Sequence, residues 1–250
     1  MALWHEVAAA LRGAIASGKY QPGTKIPREA ELEAMYSCSR TTVRRAIAQL
    51  TAEGLVLPVR RGGTKVRAQA DRASVGLDTT AYRDDLGYYF SQAVQPWRAL
   101  RTPTVQSGPC PPDVAPLLGL GFGEPVVIRD RVMGDPDTGK VMQLATSYLP
   151  ADLADGTVLA QADTGPGGIY DRMENDLGWG SLDWEGAISA RPATPEESEL
   201  LGLEPGVPVL CVTRMTIATA GSAEGRVVEV NLTRRDASRF QVRYAINRQT

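Results

Sequence analysis

One order of residues occurs twice in this chain, and that repetition limits the fold more than any other feature. Pro112-Asp113-Val114-Ala115-Pro116-Leu117-Leu118-Gly119-Leu120, continued by Gly123-Glu124-Pro125-Val126-Val127-Ile128-Arg129-Asp130-Arg131, returns 83 positions later. The copy reads Pro195-Glu196-Glu197-Ser198-Glu199-Leu200-Leu201-Gly202-Leu203 and Gly206-Val207-Pro208-Val209-Leu210-Cys211-Val212-Thr213-Arg214. A strand-like run precedes each copy, Thr104-Val105-Gln106 and Ala187-Ile188-Ser189-Ala190. A turn and a further strand, residues 140–144 and 226–230, follow each. The unit is strand, short helix, strand, hairpin, strand. Its helix leucines cover one sheet face, and Pro125 and Pro208 open the next strand. Two such units predict an antiparallel α+β domain with pseudo-twofold symmetry. Chance packing gives Leu-Leu-Gly-Leu once, but seldom the whole order twice.

The segment ahead of the repeat is of another kind. Residues 37–50 read as a capped amphipathic helix with Ser39 as N-cap, its hydroxyl placed to accept from an orphan amide of the first turn. At about 100° per residue, Val43, Ala46, Ile47 and Leu50 share one arc, while Thr41, Arg44, Arg45, Ala48 and Gln49 lie opposite. Upstream, Val7, Leu11 and Ile15 mark a first helix that ends at Ser17-Gly18. A short second helix follows Pro27, with Leu32, Met35 and Tyr36 as its core contacts. Ser37-Cys38 leaves only a tight turn before the Arg-rich helix, which is a helix-turn-helix arrangement. Residues 55–59 and 64–67 then pair as strands around Arg60-Arg61-Gly62-Gly63, and a Gly-Gly turn suits positive φ.

Charge divides the chain in the same place. Residues 1–75 hold 12 Lys/Arg against 6 Asp/Glu, or +6, and residues 76–250 hold 15 against 23, or −8; the overall −2 conceals this. A local basic excess attracts phosphates.

These residues resemble the GntR-type winged helix-turn-helix of bacterial transcription regulators. The likeness rests on Arg12-Gly13-Ala14-Ile15-Ala16-Ser17-Gly18, Gln21-Pro22-Gly23-Thr24-Lys25-Ile26-Pro27, Glu31-Leu32, Ser39-Arg40-Thr41-Thr42-Val43-Arg44, Leu50 and Glu53-Gly54-Leu55-Val56, and covers about the first 70 residues. It implies that Arg40 and Arg44 contact phosphates or guanine edges of double-stranded DNA. Ser39, Thr41 and Thr42 then sit at the amino end of the recognition helix, where hydroxyls and free amides meet a phosphate. Arg45 shares the exposed side. Gly62 and Gly63 let the wing enter the minor groove beside Arg61, Thr64 and Lys65. Some members have Arg where this chain has Ala30, which makes Arg28 the alternative contact.

The remainder resembles the UTRA effector domain, of chorismate-lyase-like fold, which accompanies such heads in the HutC subfamily. The matching residues are Leu117-Leu118, Arg129-Asp130-Arg131, Ser147-Tyr148-Leu149-Pro150, Gly168-Ile169-Tyr170, Leu200-Leu201-Gly202, Pro208-Val209-Leu210 and Val228-Glu229-Val230. The resemblance implies a small-molecule effector, with Arg129 and Arg131 as a strand-borne pair facing a carboxylate or phosphate. Tyr148, Gly168, Tyr170 and Glu229 are the further candidates. Phosphosugar-binding members often carry Ser where Gly168 stands, which points away from a sugar phosphate. Since Arg131 is matched by Arg214, a salt bridge common to both units stands open beside ligand contact. Tyr148 and Tyr170 read as core aromatics with a satisfied hydroxyl ahead of ligand contacts, and the Gly-rich entry at 165–168 as a plain helix start ahead of an anion site. Glu229, inside an apolar strand, needs an Arg or the effector as partner.

Other classes find little support. No run approaches the ~18–20 apolar residues of a membrane span, and residues 1–6 lack the pattern of a secretory signal. Three widely spaced cysteines without histidine clusters predict neither a disulfide framework nor a metal site, and no cofactor is called for. The single histidine, His5, lies in the first segment, which removes His-based catalysis from the second. The expectation is a cytoplasmic, effector-modulated DNA-binding regulator, in the sense of a repressor, acting as a homodimer on a palindromic operator. Its parts are a winged helix-turn-helix at 1–68, a linker at 69–79 and an effector-binding and dimerisation domain at 80–250. A lyase-like small-molecule enzyme and a protein-binding winged helix are the competing readings.

Overall fold

The computed structural model describes residues 3–59, 62–67, 73–76, 82–83, 89–90 and 97–243. The chain divides into two compact units, one of residues 1–72 with 203–207 and the other of 73–202 with 208–250.

In the first unit, α1 (Leu3–Ala16), α2 (Glu29–Tyr36) and α3 (Arg40–Ala52) precede the hairpin of β1 (Val56–Val59) and β2 (Gly63–Val66). Val7, Ala8 and Leu11 of α1 meet Leu32 of α2, Val43, Ala46, Ile47 and Leu50 of α3, and Val56 and Val66 of the hairpin. The helical period of the sequence is therefore the packing period. Met35 departs from expectation: it is exposed, and Leu32 alone fills the α2 core position, with Tyr36 half-buried. The α2–α3 turn is closed by Ser37 in the left-handed region (φ 48°), which no glycine announced. A third extended segment, unforeseen in the sequence, lies against β2: Ile26 donates to the Thr64 carbonyl and Val66 to that of Thr24, at 2.9 and 2.8 Å.

The second unit is a seven-stranded antiparallel sheet. Its strands are β6 (Arg98–Ala99), β7 (Thr104–Pro109), β8 (Pro125–Gly134), β9 (Val141–Pro150), β10 (Asp183–Pro192), β11 (Pro208–Ile217) and β12 (Val227–Asp236). The order is β10-β11-β12-β9-β8, with β6 and β7 both on the outer side of β8. The repeat appears in the register itself: Val105 faces Arg129 across β7–β8, and 83 positions on Ile188 faces Val212 across β10–β11. At the join, β9 and β12 pair so that Ser147↔Asn231 and Ala145↔Thr233 lie to either side of Thr146↔Leu232, the position of the pseudo-twofold axis.

The helices α4 (Ala115–Leu118) and α7 (Pro195–Leu201) are repeat mates, each ended by a left-handed glycine, Gly119 and Gly202. Val114, Ala115 and Leu118 pack with Val126 and Val230 on one sheet face. The other face carries Val127 and Leu149 under α5 (Ala151–Ala154), a 3-10 turn (Val158–Ala160) and α6 (Gly168–Asp171), whose Ile169 and Tyr170 are joined by Met173 and Trp179. Two smaller pairs complete the described structure: β4 (Tyr82–Arg83) with β5 (Tyr89–Phe90), and β3 (Ala73–Gly76) parallel to β13 (Phe240–Arg243). Thus part of the segment read as a linker is a strand.

Candidate nucleic-acid interface and effector site

The Ser39 hydroxyl accepts from the Thr42 amide at 3.3 Å and opens α3 as the sequence indicates. Arg40 and Arg44, one turn apart, remain 63% and 62% exposed. Both reach back to a single carboxylate. Arg40 Nε lies 2.8 Å from Glu29 Oε2, and Arg44 Nε lies 3.0 and 3.1 Å from its two oxygens. Hydrogen bonds first from Arg40 and then from Arg44 hold the Glu29 carboxyl below the usual carboxylate range. Each arginine is engaged through Nε, so the outer NH2 groups are left for a phosphate or a base edge.

The other candidates of the first unit divide. Thr41 is exposed and Thr42 half-buried beside them, while Arg28 is exposed at the start of α2, where its amide donates to Glu31 at 2.7 Å. Arg45 turns to α1 instead and lies 4.5 Å from the centre of the Trp4 ring, a cation–π contact. Thr64 and Lys65 stand half-buried on β2. The hairpin differs from the expected Gly-Gly turn: Gly62 donates to the Val59 carbonyl at 2.8 Å, Val59 pairs with Gly63, and only Gly63 takes positive φ (81°). Arg61 lies outside the described residues.

In the second unit a buried carboxylate organises one sheet face. Glu229, fully buried, accepts from Ser147 Oγ at 2.5 Å, Tyr170 OH at 2.6 Å and Thr216 Oγ1 at 2.8 Å. These are neutral donors: of the two partners the sequence offered, an Arg or the effector, an Arg does not bond Glu229 directly among the described residues, and three hydroxyls satisfy the carboxyl instead. Arginines arrive one bond further out. Arg131 Nη2 donates to Ser147 Oγ at 2.6 Å, Asn231 donates to the same oxygen at 2.9 Å, and Arg214 donates to the Tyr170 hydroxyl. Burial drives the Tyr170 phenol well above its ordinary pKa, which keeps it a donor to Glu229.

Of the sequence candidates, the structure brings Arg131, Tyr170 and Glu229 together. Arg129 lies on the same face but is spent elsewhere: its guanidinium donates to the carbonyls of Leu159 (2.6 Å), Gln161 and Ala162 (3.3 Å). Burial first and repulsion from Arg131 second push it down to about 10. The two strand arginines therefore do not converge. Tyr148 faces the opposite side and packs with the Val126, Leu118 and Val230 cluster. Gly168 begins α6, and its amide turns back to the Gly165 carbonyl at 3.3 Å rather than outward. Sequence reasoning missed Ser147, Thr216 and Asn231. The signal is positional, for Thr216 is the direct cross-strand neighbour of Glu229, and Ser147 and Asn231 oppose each other. The salt bridge weighed for Arg131 and Arg214 is absent among the described residues.

Comparison with known proteins settles the family. An uncharacterised HTH-type transcriptional regulator of Streptomyces coelicolor, SCO4628, is 31% identical over 96% of this chain and 91% of its own length. The description "Bacterial regulatory proteins, gntR family" matches residues 3–66, and the UTRA domain matches residues 101–241, more than half the chain. The chain is a GntR-family transcriptional regulator with a UTRA effector domain. This is the HutC-type architecture. Another relative, the HTH-type transcriptional repressor NagR of Bacillus subtilis, is 28% identical over 88% of this chain and 86% of its own. A crystal structure described as a GntR-family regulator superposes with a TM-score of 0.71 at 29% identity, covering 99% of this chain and 98% of that one.

Proposed function

We propose that this GntR-family regulator is a cytoplasmic repressor that binds a palindromic operator as a homodimer and releases it on binding a small molecule. In this reading residues 1–68 bind DNA, 69–79 connect, and 80–250 bind the effector and supply the dimer contacts. The observation that carries it is the Ser39-capped helix, which presents Arg40 and Arg44 outward with their outer NH2 groups unspent. Arg28, Thr41, Thr42, Thr64, Lys65 and the backbone at Gly62 and Gly63 supply phosphate contacts. One recognition helix reads few base pairs; a twofold-related pair doubles them and accounts for a symmetric site. The repressor sense draws on the name of the Bacillus subtilis relative.

Effector binding acts by favouring an arrangement of the two heads that no longer matches the half-site spacing, to an extent set by its differential affinity for the two states. Gel shifts on the operator test this. The full chain is expected to bind more tightly than residues 1–75 alone and to be the only one of the two released by the effector. Identical affinity and identical release for both would overturn it.

A further inference from the structure

The face around Glu229 holds more positive charge than its partners account for. Arg214 and Asn231, Val212 and Thr233, and Leu210 and Arg235 are direct pairs across β11–β12, so Arg214 and Arg235 point to the same side as Glu229, the partner of Thr216. Arg131 joins them through Ser147. Arg235 is 6% exposed, donates from Nε to Gln143 at 2.7 Å, and lies 5.7 and 5.8 Å from the ring centres of Trp97 and Phe240. Three donors on this side are buried without a hydrogen-bond partner among the described residues: Arg131 Nε, Arg214 Nε and Arg235 Nη1. Arg235 is pushed down to about 10 by burial and then by Arg214, so at neutral pH it keeps its charge and the two repel. The carboxylate of the cluster, Glu229, is already occupied by three hydroxyls. Orphaned guanidinium donors at low dielectric are costly, and a fork of N–H groups fits acidic oxygens.

Resting on the effector-domain reading, we infer that Arg131, Arg214 and Arg235 form the binding site of an organic dianion, whose carboxylate or phosphate oxygens take the vacant N–H groups. Arg129 is excluded from it, because its guanidinium is committed to three carbonyls. The face carries four guanidiniums, Arg129 included, against the single Glu229 carboxyl, and a dianion offsets most of that excess. Arg214 and Arg235 are the distinguishing members: Arg214 comes from the second repeat, and Arg235 lies near the end of β12, away from Arg129-Asp130-Arg131 on β8.

The test is thermal unfolding of the full chain with succinate, citrate, inorganic phosphate or glucose, with sodium chloride matching the ionic strength. Succinate or citrate, or phosphate if the acidic group is a phosphate, is expected to raise the Tm by several degrees in a saturable way, and glucose and chloride to leave it unchanged. Arg214→Met and Arg235→Met should each weaken that response at least tenfold. Free of anion, Arg235→Met should melt no lower than the wild type, since it removes a guanidinium that burial and Arg214 disfavour, whereas Arg129→Met should melt lower. Arg214→Lys and Arg235→Lys keep charge without the fork and should respond between the two. No anion-dependent shift, an equal shift in wild type and variants, or an Arg235→Met protein that melts low or fails to fold would overturn the site. If neutral metabolites shift the Tm and release the operator while acids do not, the dianion site falls and the effector reading stands. If no compound does either, both fall.

Discussion

Glu29 fixes the direction of the two exposed arginines of α3. It clamps both through Nε, and its lowered pKa means that the clamp is present above the ordinary carboxylate range and is lost as pH falls through the lowered value. Glu29→Gln should reduce operator affinity several-fold while strengthening binding to random DNA, because it frees the guanidiniums and removes a negative charge. Competition gel shifts measure both, and an unchanged ratio of specific to non-specific binding would refute the clamp. In the second unit, Arg129→Met should lower stability by about 2–4 kcal/mol, since it strips the donors from three carbonyls. Urea unfolding reads this, and an unshifted midpoint would show that those bonds contribute nothing. The identity of Glu229 as a focal residue was legible, because a carboxylate in an apolar strand demands partners. Which groups answered it was not, because Ser147 and Thr216 gain meaning only from cross-strand register.

At the scale of elements, the signals that carried furthest were periodic or repeated. The arc of Val43, Ala46, Ile47 and Leu50 and the Ser39 cap specified α3, and the duplicated Leu-Leu-Gly-Leu and Pro-led strands specified matching halves of one sheet. Local geometry was less readable. Ser37 adopts a left-handed backbone as the C-cap of α2, its amide donating to the Glu33 carbonyl, and Thr24–Ile26 joins β2 through backbone bonds that leave no side-chain pattern. The wing tip shows the same limit, for of its two adjacent glycines only Gly63 needs positive φ. A Cβ there meets nothing within 4 Å, so Gly63→Ala should cost only the backbone strain, about 1 kcal/mol. At Gly62 a Cβ would meet Val59 Cγ1 at 2.7 Å, so Gly62→Ala should disturb the hairpin by contact instead. Thermal unfolding of the two variants checks the pair, and a stabilised Gly63→Ala would contradict the assignment.

Across the whole molecule, sequence charge already separates the tasks: +6 in residues 1–75 for phosphate attraction, −8 in the rest. Within the acidic second domain, Arg131, Arg214 and Arg235 all lie on the Glu229 face of the sheet, the arrangement on which the proposed dianion site rests. The homodimer should appear in light scattering at twice the 26.8 kDa chain mass, and its footprint should show half-sites separated by whole helical turns of about 10–10.5 base pairs. The most direct measurement is operator affinity against salt concentration for the wild-type chain and for Arg40→Ala/Arg44→Ala. The account predicts a loss of about 1–3 kcal/mol for each base contact removed and a log–log slope shallower by about 0.9 for each phosphate contact removed. Equal affinity and equal slope for the two proteins would contradict it.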